Sequence, residues 1–137
     1  MIIIAAVDDR NGMAFNRRRQ SQDKVLREKI CALTAGQRLW MNHYSEKQFQ
    51  DQDAANINVD DNFLSEAAPG EFCFVEDKAV SPYEKWVEQI ILFKWNRSYP
   101  GDLHFDIDVT GPAWHLEESE EFAGSSHEKI TMEVYRR

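Results

Sequence analysis

The stretch Ile2–Val7, which reads IIIAAV and is followed directly by the polar turn Asp8–Gly12, decides the fold. A run of apolar, mostly β-branched residues without polar alternation is typical of a central strand that is covered on both faces. Asn11 and Gly12 form a strong turn signal where the run ends. We therefore predict that Ile2–Val7 is a middle strand of a sheet, with other segments packed against each side.

Strand candidates alternate with helix candidates outward from this stretch through the first two-thirds of the chain. The further strand candidates are Arg38–Met41, Ile57–Val59, Glu71–Val75, Ile90–Trp95 and Leu103–Val109. The helix candidates are a segment from Ser21 as N-cap to Gly36, then Ser45–Phe49, Asn62–Ala67, and a segment that starts at the capping box Ser81–Glu84. Strands separated by helices indicate a mostly parallel sheet, so the predicted fold class is α/β, with three α/β/α layers.

The last third of the chain departs from that alternation. Trp114–Leu116 begins one strand candidate, and Ile130–Tyr135 alternates apolar and polar residues as another. Gly124–Ser126 lies between them with His127 next, and short polar residues are the expected choice at a turn. These segments predict an antiparallel C-terminal hairpin at the edge of the sheet.

Composition limits the class of protein. The chain has 137 residues with 16 Lys+Arg, 24 Asp+Glu, a formal net charge of −8 and 42% hydrophobic residues, which predicts one folded domain over residues 1–137. The negative charge disfavours nucleic-acid and anionic-membrane binding, and no apolar run is long enough to span a bilayer. We interpret Cys31 and Cys73 as free thiols, which favours a cytoplasmic location.

Several short sequences, taken in order, resemble the dihydrofolate reductase family. They are the first strand with Asp9–Met13 after it, Leu39–Ser45, Tyr83–Phe93, Gly101–Asp106, and Trp114 with Ser126–Arg137. Gly101–Asp106 is similar to the GDxxFP segment of that family. The resemblance covers most of the chain outside residues 46–70, and it implies a dihydrofolate reductase-like fold in shortened form.

The resemblance also implies a role for Asp23. The family binds its pterin through one carboxylate at the start of the first helix, and Asp23 is the matching catalytic candidate. The alternative from the residues alone is a surface acid that stabilises the helix dipole. Phe93 stands where the family usually keeps a hydroxyl near that carboxylate, and a phenyl ring cannot form the same hydrogen bond.

The segments that would bind the family's NADPH differ from the family pattern. A Gly-Gly pair is replaced by Glu76–Ser81, which has no glycine and two acids, and Gly-Arg-x-Thr is replaced by Asn42–Ser45. Side chains and negative charge would both oppose the approach of a diphosphate. NADPH is therefore disfavoured as a cofactor, and the sequence identifies no other.

One basic cluster stands out in this acidic chain. Arg17, Arg18 and Arg19 follow Phe15 on what the resemblance makes the mobile loop beside the ligand cleft, where guanidinium groups could bind phosphate or carboxylate. The alternative is a solvated loop. The full set of candidate ligand-binding residues is Phe15, Arg17, Arg18, Arg19, Trp40, His43 and Tyr44.

These observations favour a protein that binds a small heterocyclic or nucleotide-like anionic ligand, such as a phosphate-bearing one, without NADPH-dependent reduction. An NADPH-dependent pterin or flavin-type reductase is the first alternative. A metal-dependent phosphodiesterase or ribonuclease-type hydrolase is the second, with ligand candidates Asp8, Asp9 and His43, or His104, Asp106 and Asp108. No HExxH or similar motif is present, so we assign no metal ligand. A partner-binding module, including a homo-oligomer, is a further alternative.

Overall fold

The computed structural model describes residues 1–137 as two β-sheets with short helices on both sides of the larger sheet. The strands are β1 (Ile2–Val7), β2 (Gly12–Phe15), β3 (Arg18–Arg19), β4 (Leu39–Met41), β5 (Ile57–Val59), β6 (Phe72–Phe74), β7 (Gln89–Lys94), β8 (Leu103–His104), β9 (His115–Phe122) and β10 (Ile130–Arg136). The α-helices are α1 (Lys24–Thr34), α2 (His43–Glu46) and α3 (Phe63–Glu66), and two 3-10 helices cover Lys47–Phe49 and Ser81–Trp86.

The larger sheet has seven strands in the order β5-β4-β6-β1-β7-β10-β9. Strand β1 pairs in parallel with β6 and β7, whereas β10 pairs antiparallel with both β7 and β9. The predicted α/β class, with a mostly parallel sheet and an antiparallel C-terminal hairpin, is confirmed. The smaller sheet, in the order β3-β2-β8, packs beside it and was not predicted.

Strand β1 separates two hydrophobic clusters, as its unbroken apolar sequence predicts. Ile3 lies in one cluster with Phe63 of α3, and Ile4 lies in the other with Leu26 and Ile30 of α1. Ile3 and Ile4 are both fully buried, and burial of one such side chain contributes about 1.5–3 kcal/mol. Strand β1 therefore lies between the two hydrophobic clusters and contributes side chains to both.

The helices are short. The longest, α1, has 11 residues, and none of the helices has the length and apolar character needed to cross a lipid bilayer.

Helix α1 begins later than its predicted N-cap. Asp23, not Ser21, is the N-cap residue, and its Oδ1 accepts a hydrogen bond from the Leu26 amide at 3.2 Å. The hydroxyl of Ser21 contacts the His127 ring instead, at 2.9 Å. Both side chains suit an N-cap, and the long-range contact of Ser21 decided between them.

The predicted capping box at Ser81–Glu84 is wrong, because this segment is a 3-10 helix without a side-chain cap from Ser81. The amides of Val80 and Ser81 donate to Asp106 Oδ1 at 2.8 and 3.0 Å. Asp106 lies beyond β8, in the part of Leu103–Val109 that does not form the predicted strand. Its neighbours Phe105 and Ile107 are buried in the core, so the alternation there reflects one-sided burial rather than sheet pairing.

The segment that the resemblance makes a mobile loop is a tight hairpin. Strands β2 and β3 pair antiparallel around Asn16 and Arg17, whose φ angles are 50° and 63°. Positive φ at both central residues is the backbone form that matches the twist of a two-residue hairpin. The hairpin therefore determines the positions of Arg17, Arg18 and Arg19.

Strand β9 is the outer strand of the larger sheet, and seven of its eight residues are exposed. Four of them are glutamates, at positions 117, 118, 120 and 121. Lys29 forms an ion pair with Glu120 at 2.8 Å, and Arg136 pairs with Glu117. The edge of the sheet is thus strongly acidic.

Candidate functional site

Asp23 lies at the start of α1 with a side chain that is completely buried. Besides the Leu26 amide, its carboxylate accepts hydrogen bonds from the amides of Ser125 at 3.0 Å and Ser126 at 2.8 Å. His127 Nδ1 lies 3.0 Å from Asp23 Oδ2. All of the partners beyond α1 belong to the turn between β9 and β10, so the carboxylate joins the helix to the C-terminal hairpin.

These hydrogen bonds set the charge of Asp23. Burial alone would raise its pKa, but the bonds from His127, Ser126, Ser125 and Leu26 outweigh burial and hold the pKa of the carboxyl well below its usual range. The group is therefore ionised at neutral pH. Both of its oxygens accept hydrogen bonds from the protein. Gly124 lies so close to the carboxylate that a Cβ at that position would be 2.4 Å from Oδ2, so there is no free space on this side. A pterin would reach this carboxylate only by displacing the turn.

His127 continues the network away from Asp23. Its Nε2 lies 2.9 Å from Ser21 Oγ and 3.2 Å from the Tyr99 hydroxyl. The imidazole stacks on Trp95, with ring centroids 4.4 Å apart, and the side chain is 3% exposed. The sequence alone places His127 in a turn, because its partners Tyr99 and Ser21 lie 28 and 106 positions away in the chain.

Glu76 forms a second buried network, at the position where the resemblance places the cofactor glycines. Its carboxylate binds Arg19 through two parallel bonds, Nε to Oε2 at 2.9 Å and Nη2 to Oε1 at 3.1 Å. Ser45 Oγ and Gln48 Nε2 donate to the same carboxylate, each at 2.8 Å. The side chain of Glu76 is 8% exposed, so this is a bidentate ion pair closed off from most solvent.

Arg19 is enclosed by this network. Burial would lower its pKa, but the hydrogen bond and the charge of Glu76 raise the pKa above its ordinary value. Its guanidinium also lies over the Tyr44 ring, 4.3 Å from the centroid, and its amide donates to the Tyr44 hydroxyl at 2.8 Å. The positive charge of Arg19 is therefore neutralised within the protein.

The same network bears on NADPH. A cofactor diphosphate at this junction would meet the Glu76 carboxylate and also Asp77, whose Oδ1 accepts from Asn42 Nδ2 at 2.9 Å. Glu76, Asp77 and the side chains that donate to them occupy the junction where the family pattern has glycines, whose backbone a dinucleotide can approach closely. The residues present do not fit NADPH.

Three of the predicted ligand-binding residues meet at one open cleft of about 470 Å³ between the β2–β3 hairpin and the segment after β7. Its lining residues are Phe15, Asn16, Arg18, Arg19, Gln20, Tyr99 and Pro100. Phe15 is 42% exposed there, a large fraction for a phenyl ring. We refer to this space as the hairpin cleft.

The other candidates lie elsewhere. Arg17 lines a neighbouring cleft of about 350 Å³ with Asp77 and Asp102. Trp40 packs against the core and donates from Nε1 to Glu71 Oε1 at 3.0 Å. His43 is exposed, with Nδ1 3.0 Å from Asp61 Oδ1. Neither Trp40 nor His43 lines the hairpin cleft.

The carboxylates named as metal-ligand candidates have protein partners. Asp8 accepts from the amides of Gly12 at 2.7 Å and Arg10 at 2.9 Å, and Asp108 accepts from the Thr110 hydroxyl at 2.6 Å. No three His, Cys, Asp or Glu side chains converge as a metal-binding group. For Asp8, burial would raise the pKa, but its backbone hydrogen bonds lower it overall. These acids stabilise turns.

Comparisons with known proteins agree with the fold. No protein-family model matches the chain, and no curated protein matches its sequence. A solved structure of dihydrofolate reductase from Enterococcus faecalis, complexed with NADP(H) and RAB-propyl, matches 99% of this chain and 95% of that chain, with a TM-score of 0.69 and 12% identity. The chain therefore has a dihydrofolate reductase-like fold, as the sequence resemblance predicts. The network around Asp23 lies where the resemblance places the pterin-binding carboxylate. The network around Glu76 lies where the resemblance places the cofactor glycines.

Proposed function

We propose that this protein binds a small anionic ligand with a flat heterocyclic or nucleotide-like ring in the hairpin cleft, without NADPH-dependent reduction. The observation that carries the proposal is Arg18. Its guanidinium lines the cleft and forms no ion pair or hydrogen bond within the protein, although the chain as a whole is acidic. An unpaired guanidinium in a concave site binds phosphate or carboxylate through paired donors.

The walls of the hairpin cleft suit a flat ring. Phe15 and Tyr99 both line it, and aromatic rings provide apolar stacking surfaces. The Asn16 and Gln20 amides add polar groups that could fix the orientation of a heterocycle. The hairpin cleft thus presents aromatic surface together with amide and guanidinium groups.

Gln20 supplies a second argument. Its Nε2 donates to Asp8 Oδ2 and to the Pro100 carbonyl, both at 3.2 Å, whereas its Oε1 is the one buried side-chain atom without a hydrogen-bond partner. An unpaired buried acceptor costs about 1–3 kcal/mol. A ligand N–H that reaches Gln20 after a small side-chain rotation would remove that cost.

Binding is tested by thermal shift and calorimetry with a panel of AMP, CMP, FMN and folate. We expect at least one compound to raise the melting temperature, because a ligand that binds only the folded state stabilises it. The R18A variant should bind that compound about tenfold more weakly, which corresponds to about 1.4 kcal/mol. The R17A variant is the matched control, since Arg17 faces the neighbouring cleft.

Two results would overturn the proposal. One is the absence of a thermal shift for every compound at millimolar concentration. The other is equal affinity of R18A and the unchanged protein for each compound that binds. NADPH is included in the panel as a separate arm, and we expect it to give no stabilisation beyond that of AMP.

A further inference from the structure

Two side chains at the start of α1 and one from the C-terminal turn, more than 100 positions away, form a hydrogen-bonded series. Ser21 Oγ lies 2.9 Å from His127 Nε2, and His127 Nδ1 lies 3.0 Å from Asp23 Oδ2. This is the order of nucleophile, base and orienting carboxylate that activates serine in unrelated hydrolases. Neither the fold comparison nor the anion-binding proposal assigns a role to this series.

The direction of the hydrogen bonds follows from Asp23. Its ionised carboxylate only accepts, so the proton of a neutral His127 ring lies on Nδ1, which donates to Asp23. Nε2 then carries the lone pair and can accept the proton of the Ser21 hydroxyl. Stacking on Trp95 fixes the plane of the ring, so the imidazole is held in the orientation that a general base requires.

Ser21 lies next to the hairpin cleft in the chain and is partly exposed to solvent. It is half-buried rather than enclosed, and it follows Gln20, which lines that cleft. The Tyr99 hydroxyl, which contacts the same Nε2 at 3.2 Å, belongs to a residue of the same lining. His127 Nε2 is therefore in contact with a residue that lines the hairpin cleft.

Donors for a developing oxyanion are also present near Ser21. The backbone amides of Ser21 and Gln22 donate no hydrogen bond within the protein. Together with the series above, these amides supply the types of group that acyl transfer needs: a nucleophile, a base and free N–H donors.

We infer that Ser21 is a nucleophile that accepts an acyl group from small activated esters, with His127 as general base and Asp23 as the residue that positions His127. This reaction goes beyond the proposed ligand binding and does not depend on it.

The bond changes are those of ester hydrolysis. Ser21 Oγ forms a bond to the acyl carbon while its proton passes to His127 Nε2, and the negative charge moves to the former carbonyl oxygen. That oxygen re-forms the carbonyl as the bond to the leaving alkoxide breaks, and His127 returns the proton to the alkoxide. Water then attacks the acyl-serine with the same help from His127, which releases the carboxylic acid and restores Ser21.

The test is covalent labelling of the full chain. Folded protein is incubated with diisopropyl fluorophosphate or p-nitrophenyl acetate, and intact mass followed by peptide mapping locates the adduct. We expect one adduct at Ser21 and an initial burst of p-nitrophenol. The S119A variant removes an exposed serine of β9 and should label at the unchanged rate.

The S21A and H127Q variants separate chemistry from structure. S21A keeps the Asp23–His127 pair and should lose the adduct completely. H127Q, with its fold confirmed by circular dichroism, should label at least about 100-fold more slowly, the lower range for loss of a general base.

An absence of adduct at Ser21 with millimolar probe would overturn the inference. Labelling of Ser21 at the same rate in H127Q would overturn it as well, since the hydroxyl would then react without its base. Neither result would bear on ligand binding at Arg18, which is measured without a covalent probe.

Discussion

The Asp23 carboxylate and the His127 imidazole, 104 residues apart in the chain, form a buried pair with 3.0 Å between Oδ2 and Nδ1. Their side chains are 0% and 3% exposed. The pair connects the first turn of α1 to the C-terminal hairpin, so it stabilises two elements that share no sheet hydrogen bond. The adjacent amides of Ser125 and Ser126 make the same connection.

Replacement of Asp23 should therefore destabilise the whole domain. The D23A variant leaves His127 and several turn amides without their acceptor, and we expect a loss of about 3–5 kcal/mol in the free energy of unfolding. Urea denaturation followed by fluorescence measures it. D51N is the control, because Asp51 pairs with Arg27 on the surface and should change stability far less. Equal losses for the two variants would contradict the structural role of Asp23.

Stability should also depend on pH through Asp23. The pKa of its carboxyl is lower in the folded state than the value of about 3.9 in an unfolded chain. The unfolded state therefore binds the proton first as the pH falls, so this contribution is complete above about pH 5 and is lost progressively below it. The difference in unfolding free energy between the unchanged protein and D23N should shrink from pH 5 to pH 2. A difference that stays constant over this range would show that Asp23 titrates alike in both states.

The Arg19–Glu76 pair allows a third test. R19M leaves Glu76 as a buried charge without its cation, and we expect a cost of about 3 kcal/mol. The double variant R19M/E76L removes both charges, so it should be more stable than R19M alone in urea denaturation. A double variant less stable than R19M would mean that the Ser45 and Gln48 bonds to Glu76 matter more than the missing cation.

The two cysteines should differ in reactivity. Burial raises the pKa of the Cys73 thiol to about 12, whereas Cys31 is only half-buried. At pH 8 we expect the folded protein to react with Ellman's reagent slowly and first at Cys31, with Cys73 reacting only after unfolding in urea. Immediate reaction of two thiols in the folded protein would contradict this burial.

The parts of the fold that could be predicted depend on local pattern. β1 and the Ile90–Phe93 part of β7 are unbroken apolar runs, and β10 alternates apolar and polar residues, so these strands were predictable from local sequence. The stretch around Ile107 shows the limit of such patterns, because alternating burial also arises in a loop that lies on the core. The choice of Asp23 over Ser21 as N-cap depended on a contact with His127, which no local pattern contains.

The candidate site was also predictable only in part. Arg18, which belongs to the basic cluster, and Phe15 were predicted as ligand-binding candidates, and both line the hairpin cleft. The acids at residues 76 and 77 were predicted to oppose a diphosphate, but the pairing of Glu76 with Arg19 was not predicted. Those two residues are 57 positions apart, and only the folded chain brings them together. Trp40 lies in β4 and His43 begins α2 soon after it, and neither side chain lines the hairpin cleft.

The acidic outer strand has a consequence for self-association. An open sheet edge of eight residues would ordinarily be able to pair with the same edge of another molecule. Two β9 strands brought side by side would place four glutamates of each molecule against four of the other, and repulsion between like charges would oppose their pairing. Part of the negative charge of this protein thus limits growth of its sheet by strand addition, a protection that neutralising these glutamates would remove.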